Sequence, residues 1–164
     1  FSGKKLQYFD PEINERYVPY VVETSIGLDR MFLAVFSHSL QEEELENGTT
    51  RTVLKLPAVL APTKAAILPL VKKDGLPEIA RKIVEELKWD FNVDYDEKDA
   101  VGRRYRRQDA VGTPFCITVD HETLNDGTVT IRYRDTMDQQ RVKISELKDL
   151  IKQEVDVKSW LMKM

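Results

Sequence analysis

Two short apolar runs place the strongest constraint on the fold of this chain. The segments KAAILPLV (residues 64–71) and FCITV (residues 115–119) hold apolar side chains at consecutive positions. A half-buried strand alternates apolar and polar residues, whereas a strand that is covered on both faces is apolar throughout. We therefore expect two buried strands in a sheet that carries helices on its faces.

The segments around these two runs predict three further strands and three helices. A helix is expected over DGLPEIARKIVEELK, where Pro77 lies in the first turn and Ile79, Ile83 and Leu87 share one face. The other expected elements are a strand at FNVDY (91–95), a short basic helix at VGRRYRRQDAVG, a hairpin of VTIRYR and QQRVKI across DTMD, and a last helix with Leu147, Leu150 and Ile151 facing inward.

The order of these elements, β-α-β-α-β-β-β-α, defines the expected fold class. Parallel strands need crossover helices between them, whereas the last strands can pair through short turns. We expect an α/β fold with a mixed, mostly five-stranded sheet flanked by about three helices.

The N-terminal third of the sequence has a different pattern. YVPYVVE (17–23) is rich in β-formers and predicts a strand, and the helical spacing of apolar residues after Gly27 predicts an amphipathic helix to about Gln41. A polar segment with a turn at Asn47 and Gly48 follows, and TVLKLP predicts a further strand after it. A boundary near residue 56 divides the chain into residues 1–56 and 57–164.

Composition favours a soluble, cytoplasmic protein. The chain has 41% hydrophobic and 32% charged residues, and no apolar run approaches the roughly 20 residues needed to cross a bilayer, so no membrane partner is expected. The single cysteine, Cys116, cannot form an internal disulfide and indicates a buried thiol in a reducing compartment. His38 and His121 have no second ligand at metal-site spacing, so we expect no metal site. A chain that begins at Phe1 is interpreted as a fragment.

The segment ETSIGLDR (23–30) concentrates polar groups between the predicted strand and helix. Glu23 can accept hydrogen bonds from an ammonium group, Ser25 adds a hydroxyl, and Gly27 permits close approach of a ligand to the backbone. Arg30 supplies a planar cation for a phosphate or an adenine face. The residues also fit an ordinary helix start, with Asp29 favourable to the helix dipole and Arg30 in solvent.

Two further segments carry groups suited to RNA. The net charge of −3 hides a basic patch, GRRYRR, whose arginines can contact phosphates while Tyr105 stacks on a base. The same helix face could instead be solvated, with arginines paired to Asp99 or Asp109. Polar residues of the predicted hairpin offer donors and acceptors for base edges, or form an exposed sheet face. The candidates for contacts with RNA are Arg103, Arg104, Tyr105, Arg106, Arg107, Arg132, Arg134, Asp135 and Gln139.

Several segments resemble one enzyme family in the order expected for it. YVPYVVETSIGLDR resembles motif 3 of class II aminoacyl-tRNA synthetases, in the form found in the dimeric glycyl-tRNA synthetases. LAPTKAAILPL, GRRYRRQDAVGTPFCITVD and VTIRYRDTMDQQRVKISEL are similar to the anticodon-binding domain of the same enzymes. The resemblance extends from about Gly3 to about Ile151.

The resemblance implies a function for the full-length protein. It would be a homodimer that activates glycine with ATP and Mg²⁺ and transfers the glycine to tRNA(Gly). Residues 1–56 would be a strand-helix remnant of the antiparallel catalytic domain, and residues 57–164 the anticodon-binding domain. Glu23 and Ser25 would face glycine, while Gly27, Asp29 and Arg30 would face ATP. The family's motifs 1 and 2 have no counterpart here, so we expect this chain alone to be inactive and to hold no cofactor tightly.

Two other functions fit parts of the sequence. A non-catalytic accessory protein of the polymerase-processivity type is built on a similar domain, but such a protein has no chemical need for Glu23, Ser25 and Arg30. An unrelated nucleotide-binding enzyme is disfavoured because the chain lacks a glycine-rich phosphate loop of either common form.

Overall fold

The computed structural model describes residues 3–45 and 48–162, and the chain divides into two compact units, residues 1–32 and 33–164. In unit 1, strands β1 (Tyr8–Asp10) and β2 (Glu15–Tyr17) form an antiparallel hairpin. The carboxylate of Asp10 accepts a hydrogen bond from the backbone N–H of Glu12 at 2.9 Å, which fixes the turn of this hairpin. Helix α1 (Leu28–Ser39) begins in this unit, as the apolar spacing predicts.

The predicted strand over residues 17–23 is wrong. Strand β2 ends at Tyr17, and residues 18–27 form neither strand nor helix. Val18, Val21 and Val22 are exposed, and no other strand pairs with this stretch in the described part of the chain. A strand needs a neighbour for its backbone groups, and Pro19 also lacks an N–H to donate. β-rich composition alone therefore did not produce a strand.

Unit 2 opens with a hairpin of strands β3 (Leu40–Glu44) and β4 (Thr50–Leu54). β4 matches the strand predicted from TVLKLP, whereas β3 was not predicted, because Leu40 and Gln41 fit the end of the predicted helix and the residues from Glu42 fit a polar loop. Its partner strand explains the difference, since the antiparallel pairing satisfies the backbone of an otherwise polar segment. Gly48 has a left-handed φ of +74°, which suits a tight turn. The other predicted turn residue, Asn47, lies outside the described residues.

A five-stranded mixed sheet forms the centre of unit 2, which confirms the predicted α/β fold. The strand order is β6-β5-β7-β8-β9, in which β5 is parallel to β6 and β7, and the later pairs are antiparallel. The strands are β5 (Ala65–Pro69), β6 (Val93–Tyr95), β7 (Phe115–Val119), β8 (Thr128–Tyr133) and β9 (Gln139–Lys143).

Helices cover both faces of this sheet because β5 and β7 are apolar on both sides. Alternate residues of these strands, including Ile67 and Ile117, pack with buried residues of α2 (Leu76–Leu87) and α5 (Leu147–Val155). The intervening residues Ala66, Leu68 and Cys116 pack on the opposite face with Tyr105, a residue of α3 (Val101–Val111). The remaining helices are the short α4 (Thr123–Asp126) and α6 (Val157–Leu161).

Within residues 3–45 and 48–162, none of the helices has both the length and the apolar character that crossing a bilayer demands.

Candidate functional site

The polar groups of ETSIGLDR lie in the irregular segment before α1 and in the first turn of that helix. Glu23 and Ser25 are exposed in the irregular segment, and the carbonyl of Gly27 accepts the first helical hydrogen bond from the N–H of Met31 at 3.0 Å. Asp29 and Arg30 follow in the first turn and are also exposed. The N-terminus of a helix presents unpaired N–H groups and a partial positive charge, so a cation at Arg30 adds to a site suited to phosphate.

The arginines of α3 do not form one basic surface. Arg104 is only 2% exposed, and its guanidinium donates to backbone carbonyls of two loops. The acceptors are the carbonyl oxygens of Pro69 at 2.6 Å, Asp99 at 3.1 Å, Asp96 at 3.2 Å and Leu70 at 3.3 Å. Arg104 therefore connects the ends of β5 and β6 to α3. The charge pattern of GRRYRR did not predict this structural role.

Arg103 and Arg107 are the exposed arginines of this helix, and Arg106 is half-buried. Arg107 pairs with Asp96 at 2.6 Å and with Asp99 at 2.9 Å, so one of the two ion pairs considered from the sequence forms. Burial alone would raise the pKa of Asp96, but hydrogen bonds from the Lys98 N–H and from Arg107 outweigh it and hold the pKa below its usual value.

Tyr105 is packed rather than displayed as a free stacking platform. Its hydroxyl lies 2.7 Å from the Thr118 hydroxyl, and the guanidinium of Arg132 lies 4.8 Å from the centre of its ring. Burial raises the pKa of Tyr105. One ring face is therefore occupied by a cation from β8.

Arg132 is buried in an ion pair with a carboxylate on α3. Its two terminal nitrogens donate to the two oxygens of Asp109 at 2.8 and 3.0 Å, a bidentate arrangement. Burial would lower the pKa of Arg132, but the hydrogen bonds from this guanidinium to Asp109 outweigh the burial and raise it. Arg132 is thus engaged inside the protein and does not present its donors to solvent.

The guanidinium of Arg134 holds the carboxylate of Asp135 in place at the turn between β8 and β9. Arg134 is buried and donates to the carbonyl of Gly112 at 2.8 Å and to that of Leu56 at 2.7 Å. Its Nε and one terminal nitrogen hold the two oxygens of Asp135 at 2.7 and 3.0 Å. The carboxylate of Asp135 is 56% exposed, so it keeps acceptor capacity on the solvent side while its orientation is fixed from below.

A cleft of about 500 Å³ opens beside this carboxylate. It is lined by Ala58, Pro114, Phe115, Tyr133, Arg134, Asp135, Thr136, Asp138, Gln140 and Glu154. Gln140 donates to the Tyr133 hydroxyl at 2.7 Å, and the Tyr133 ring packs edge-on against Phe115 with centroids 5.6 Å apart. The cleft combines aromatic walls with polar groups, which suits a planar base.

The two groups of RNA candidates lie at opposite ends of the sheet. Arg104 reaches the carboxyl end of β5 at Pro69, whereas Arg134 reaches the residues that precede β7. Sequence reasoning missed Tyr133 and Gln140 as cleft residues. Their position in the sequence could have indicated this role, because Tyr133 and Gln140 lie next to the candidates Arg134 and Gln139 at the end of the predicted hairpin.

Among the described residues, no group of three or more His, Cys, Asp and Glu side chains is arranged to hold a metal ion.

Residues 64–154 match the family model of the anticodon-binding domain. This match covers more than half of the 164-residue chain, and the chain belongs to that family.

The chain is similar to bacterial glycine–tRNA ligases over nearly its whole length. It is 54% identical over 155 residues to the enzyme of Geobacillus kaustophilus and 55% identical over 159 residues to that of Clostridium perfringens, covering 94% of this chain in both cases. The identity to the enzyme of Chlorobaculum tepidum is 50% over 151 residues, or 92% of this chain. The chain spans about a third of the length of these relatives, between 32% and 34%.

Two solved structures from Cryptosporidium parvum share the fold. The RNA-binding domain of threonyl-tRNA synthetase matches 61% of this chain and 25% of that chain, with a TM-score of 0.56 and 23% identity. Prolyl-tRNA synthetase matches 74% of this chain and 32% of that chain, with a TM-score of 0.57 and 20% identity. These two structures show the fold alone, whereas the similarity to the bacterial glycine–tRNA ligases supports the synthetase interpretation and does not support the alternative of an accessory protein.

Proposed function

We propose that this chain is part of a glycine–tRNA ligase, which activates glycine with ATP and transfers it to tRNA(Gly). The observation that carries this proposal is the 54% identity to a glycine–tRNA ligase along 94% of the chain. Residues 1–56 belong to the catalytic domain and residues 57–164 to the anticodon-binding domain. The resemblance to dimeric synthetases supports a homodimer, and the buried Cys116 fits the cytoplasm.

The segment before α1 serves the substrates of the first step. The carboxylate of Glu23 binds the ammonium group of glycine, and the hydroxyl of Ser25 lies on its carboxyl side. Arg30, supported by Gly27 and Asp29 at the start of α1, binds ATP, which enters as its Mg²⁺ complex. Two observations support these roles. All five residues are exposed, and Arg30 lies in the first turn of α1, where the helix N-terminus favours a phosphate. In the full-length enzyme ATP supplies the activating adenylyl group, and these residues bind and orient glycine and ATP.

The cleft at the β8–β9 turn receives an anticodon base. Asp135 accepts a hydrogen bond from a base amino group, and Gln139 on the same turn contributes a further donor and acceptor. The buried Arg134 acts indirectly, because it holds the carboxylate of Asp135 in one orientation. Tyr133 forms an aromatic wall of the cleft.

The arginines divide by exposure. Arg103 and Arg107 lie on the surface of α3 and contact phosphates of the arm, with Arg106 at the edge of that surface. Arg104, Arg132 and Tyr105 support the fold beneath it.

The test of the proposed function uses the full-length protein. Wild-type protein is expected to exchange pyrophosphate with ATP in the presence of glycine, and Arg30→Ala is expected to reduce that exchange strongly while anticodon-arm binding stays unchanged. Loss of both activities together would make Arg30 structural. A wild-type protein without glycine-dependent exchange would contradict the proposed function.

The anticodon site is tested by a pair of charge-matched variants. Asp135→Asn is expected to weaken binding of the anticodon stem-loop of tRNA(Gly) by roughly 5- to 150-fold, the equivalent of about 1–3 kcal/mol for one base contact. Asp149→Asn removes the same charge from the exposed first turn of α5 and should leave the affinity unchanged. Equal affinities in titrations of both variants would move the site away from this cleft.

A further inference from the structure

The hairpin β3–β4 lies outside the residues that match the family model, yet a buried charge network joins it to them. Arg51 on β4 donates to the carboxylate of Asp109 on α3 at 3.1 Å and to the carbonyl of Arg134 at 3.0 Å. Asp109 is fully buried, and its two oxygens also accept the bidentate pair from Arg132 on β8. One carboxylate therefore links a strand of the hairpin, a helix and a strand of the main sheet.

Further contacts fix the hairpin around this network. Glu43 on β3 accepts from the Nε of Arg51 at 2.7 Å and also pairs with Lys55. The backbone of β4 runs so close to α3 that a Cβ atom on Gly112 would lie 3.1 Å from the carbonyl oxygen of Leu54. The N–H of Lys55 donates to the carbonyl of Ser39 at 2.7 Å, which ties the hairpin to the end of α1.

Because the charges of this network are buried, its contacts should form or break together. Removing one partner of a buried ion pair leaves the other charge desolvated without compensation, which is strongly unfavourable. Bidentate hydrogen bonds also hold their partners in one geometry. The hairpin can leave α3 only by breaking several directional contacts at once.

We propose that Arg51, Asp109 and Arg132 form a clamp that holds hairpin β3–β4, and with it the end of α1, in one position on the anticodon-binding sheet. Because hairpin β3–β4 belongs to the proposed catalytic part of the chain, residues 1–56, the clamp keeps a tRNA that is bound by its anticodon in register for charging. This inference rests on the proposed function. The three residues are positioning residues and do not contact the substrates.

The experiment compares Arg51→Met with Arg81→Met in the full-length protein. Arg81 is an exposed arginine of α2, on the opposite face of the sheet from α3, and serves as the control. In Arg51→Met, we expect faster hydrogen exchange at residues 40–45 and 48–56, with exchange elsewhere in unit 2 unchanged. Glycine-dependent pyrophosphate exchange and affinity for the anticodon stem-loop should stay within about twofold of wild type.

The distinguishing readout is charging of intact tRNA(Gly). The KM for tRNA should rise roughly tenfold in Arg51→Met, since small misplacements far from the chemistry can cost up to about 100-fold. Arg51→Lys keeps a positive charge and should recover part of the exchange protection and of the KM. If Arg51→Met fails to fold, Glu43→Gln, which weakens the hold on Arg51 without removing it, should give the same changes to a smaller degree.

Two results would overturn the clamp: unchanged exchange at the hairpin in Arg51→Met, or a loosened hairpin with an unchanged KM for tRNA. A wild-type protein that forms no glycine adenylate would instead contradict the proposed function, and the hydrogen-exchange result would still decide whether the clamp exists.

Discussion

Burial decides what each arginine of this protein does. Arg51, Arg104, Arg132 and Arg134 are buried and donate to carbonyls or carboxylates, whereas Arg103 and Arg107 are exposed at the surface, where Arg107 also pairs with Asp96 and Asp99. A buried guanidinium with several backbone acceptors stabilises the elements that supply them, because each hydrogen bond from a charged donor contributes more than a neutral one. The same residue type therefore stabilises the fold at four buried positions and provides candidate binding groups at the two exposed positions of α3.

Substitution of Arg104 tests this distinction. Arg104→Ala leaves the carbonyls of Pro69 and Leu70 without their donor and should lower the free energy of unfolding by about 2–4 kcal/mol in a urea titration. Because the side chain of Arg103 is exposed, Arg103→Ala should change the free energy of unfolding by no more than about 0.5 kcal/mol. Equal stability of the two variants would contradict the structural role of Arg104.

Cys116 gives a second prediction at the residue scale. Burial raises the pKa of its thiol to about 12, so the folded protein should not react with a thiol reagent at pH 8. Because the thiol ionises more readily in the unfolded chain, its contribution to stability is present below pH 9 and is lost as the pH rises from about 9 towards 12. Labelling in native buffer that is as fast as in urea would contradict this.

At the scale of elements, the junction of α3 with hairpin β3–β4 includes a close backbone approach at a glycine. Gly112 ends α3 with a φ of +83°, and a Cβ there would press on the backbone of Leu54. Gly112→Ala should therefore destabilise the protein by about 1–3 kcal/mol. Gly102 lies in the same helix with no atom within 4 Å of a Cβ, so Gly102→Ala should stabilise it by roughly 0.5 kcal/mol. Thermal melts of the two variants that shift in the same direction would contradict this assignment.

Some elements could be predicted from the sequence alone and others could not. The runs at 64–71 and 115–119 and the periodic helices were predictable because local pattern and burial agree. β3 could not be predicted, since its polar residues form a strand only when β4 pairs with them. The Arg51–Asp109 pair spans 58 residues, so no local pattern could assign Asp109 to it. For the same reason, the charge pattern of GRRYRR did not separate the buried Arg104 from the exposed Arg103.

At the scale of the whole molecule, the proposed function assigns this chain one part of the activity of a longer enzyme. Adenylate formation needs several groups that position ATP and neutralise charge together, and this chain spans about a third of the length of its relatives. We therefore expect the isolated 164-residue chain to show no glycine-dependent pyrophosphate exchange, while the full-length protein does. Exchange by the isolated chain at the full-length rate would contradict the proposed division of labour.

We propose that this chain binds the anticodon arm of tRNA(Gly), and a binding titration tests this proposal most directly. The chain is titrated with the anticodon stem-loop of tRNA(Gly) and with a stem-loop in which only the anticodon bases are replaced. We expect the native loop to bind at least about fivefold more tightly, because loss of even one base contact costs on the order of 1 kcal/mol or more. Equal affinity for the two loops would contradict it.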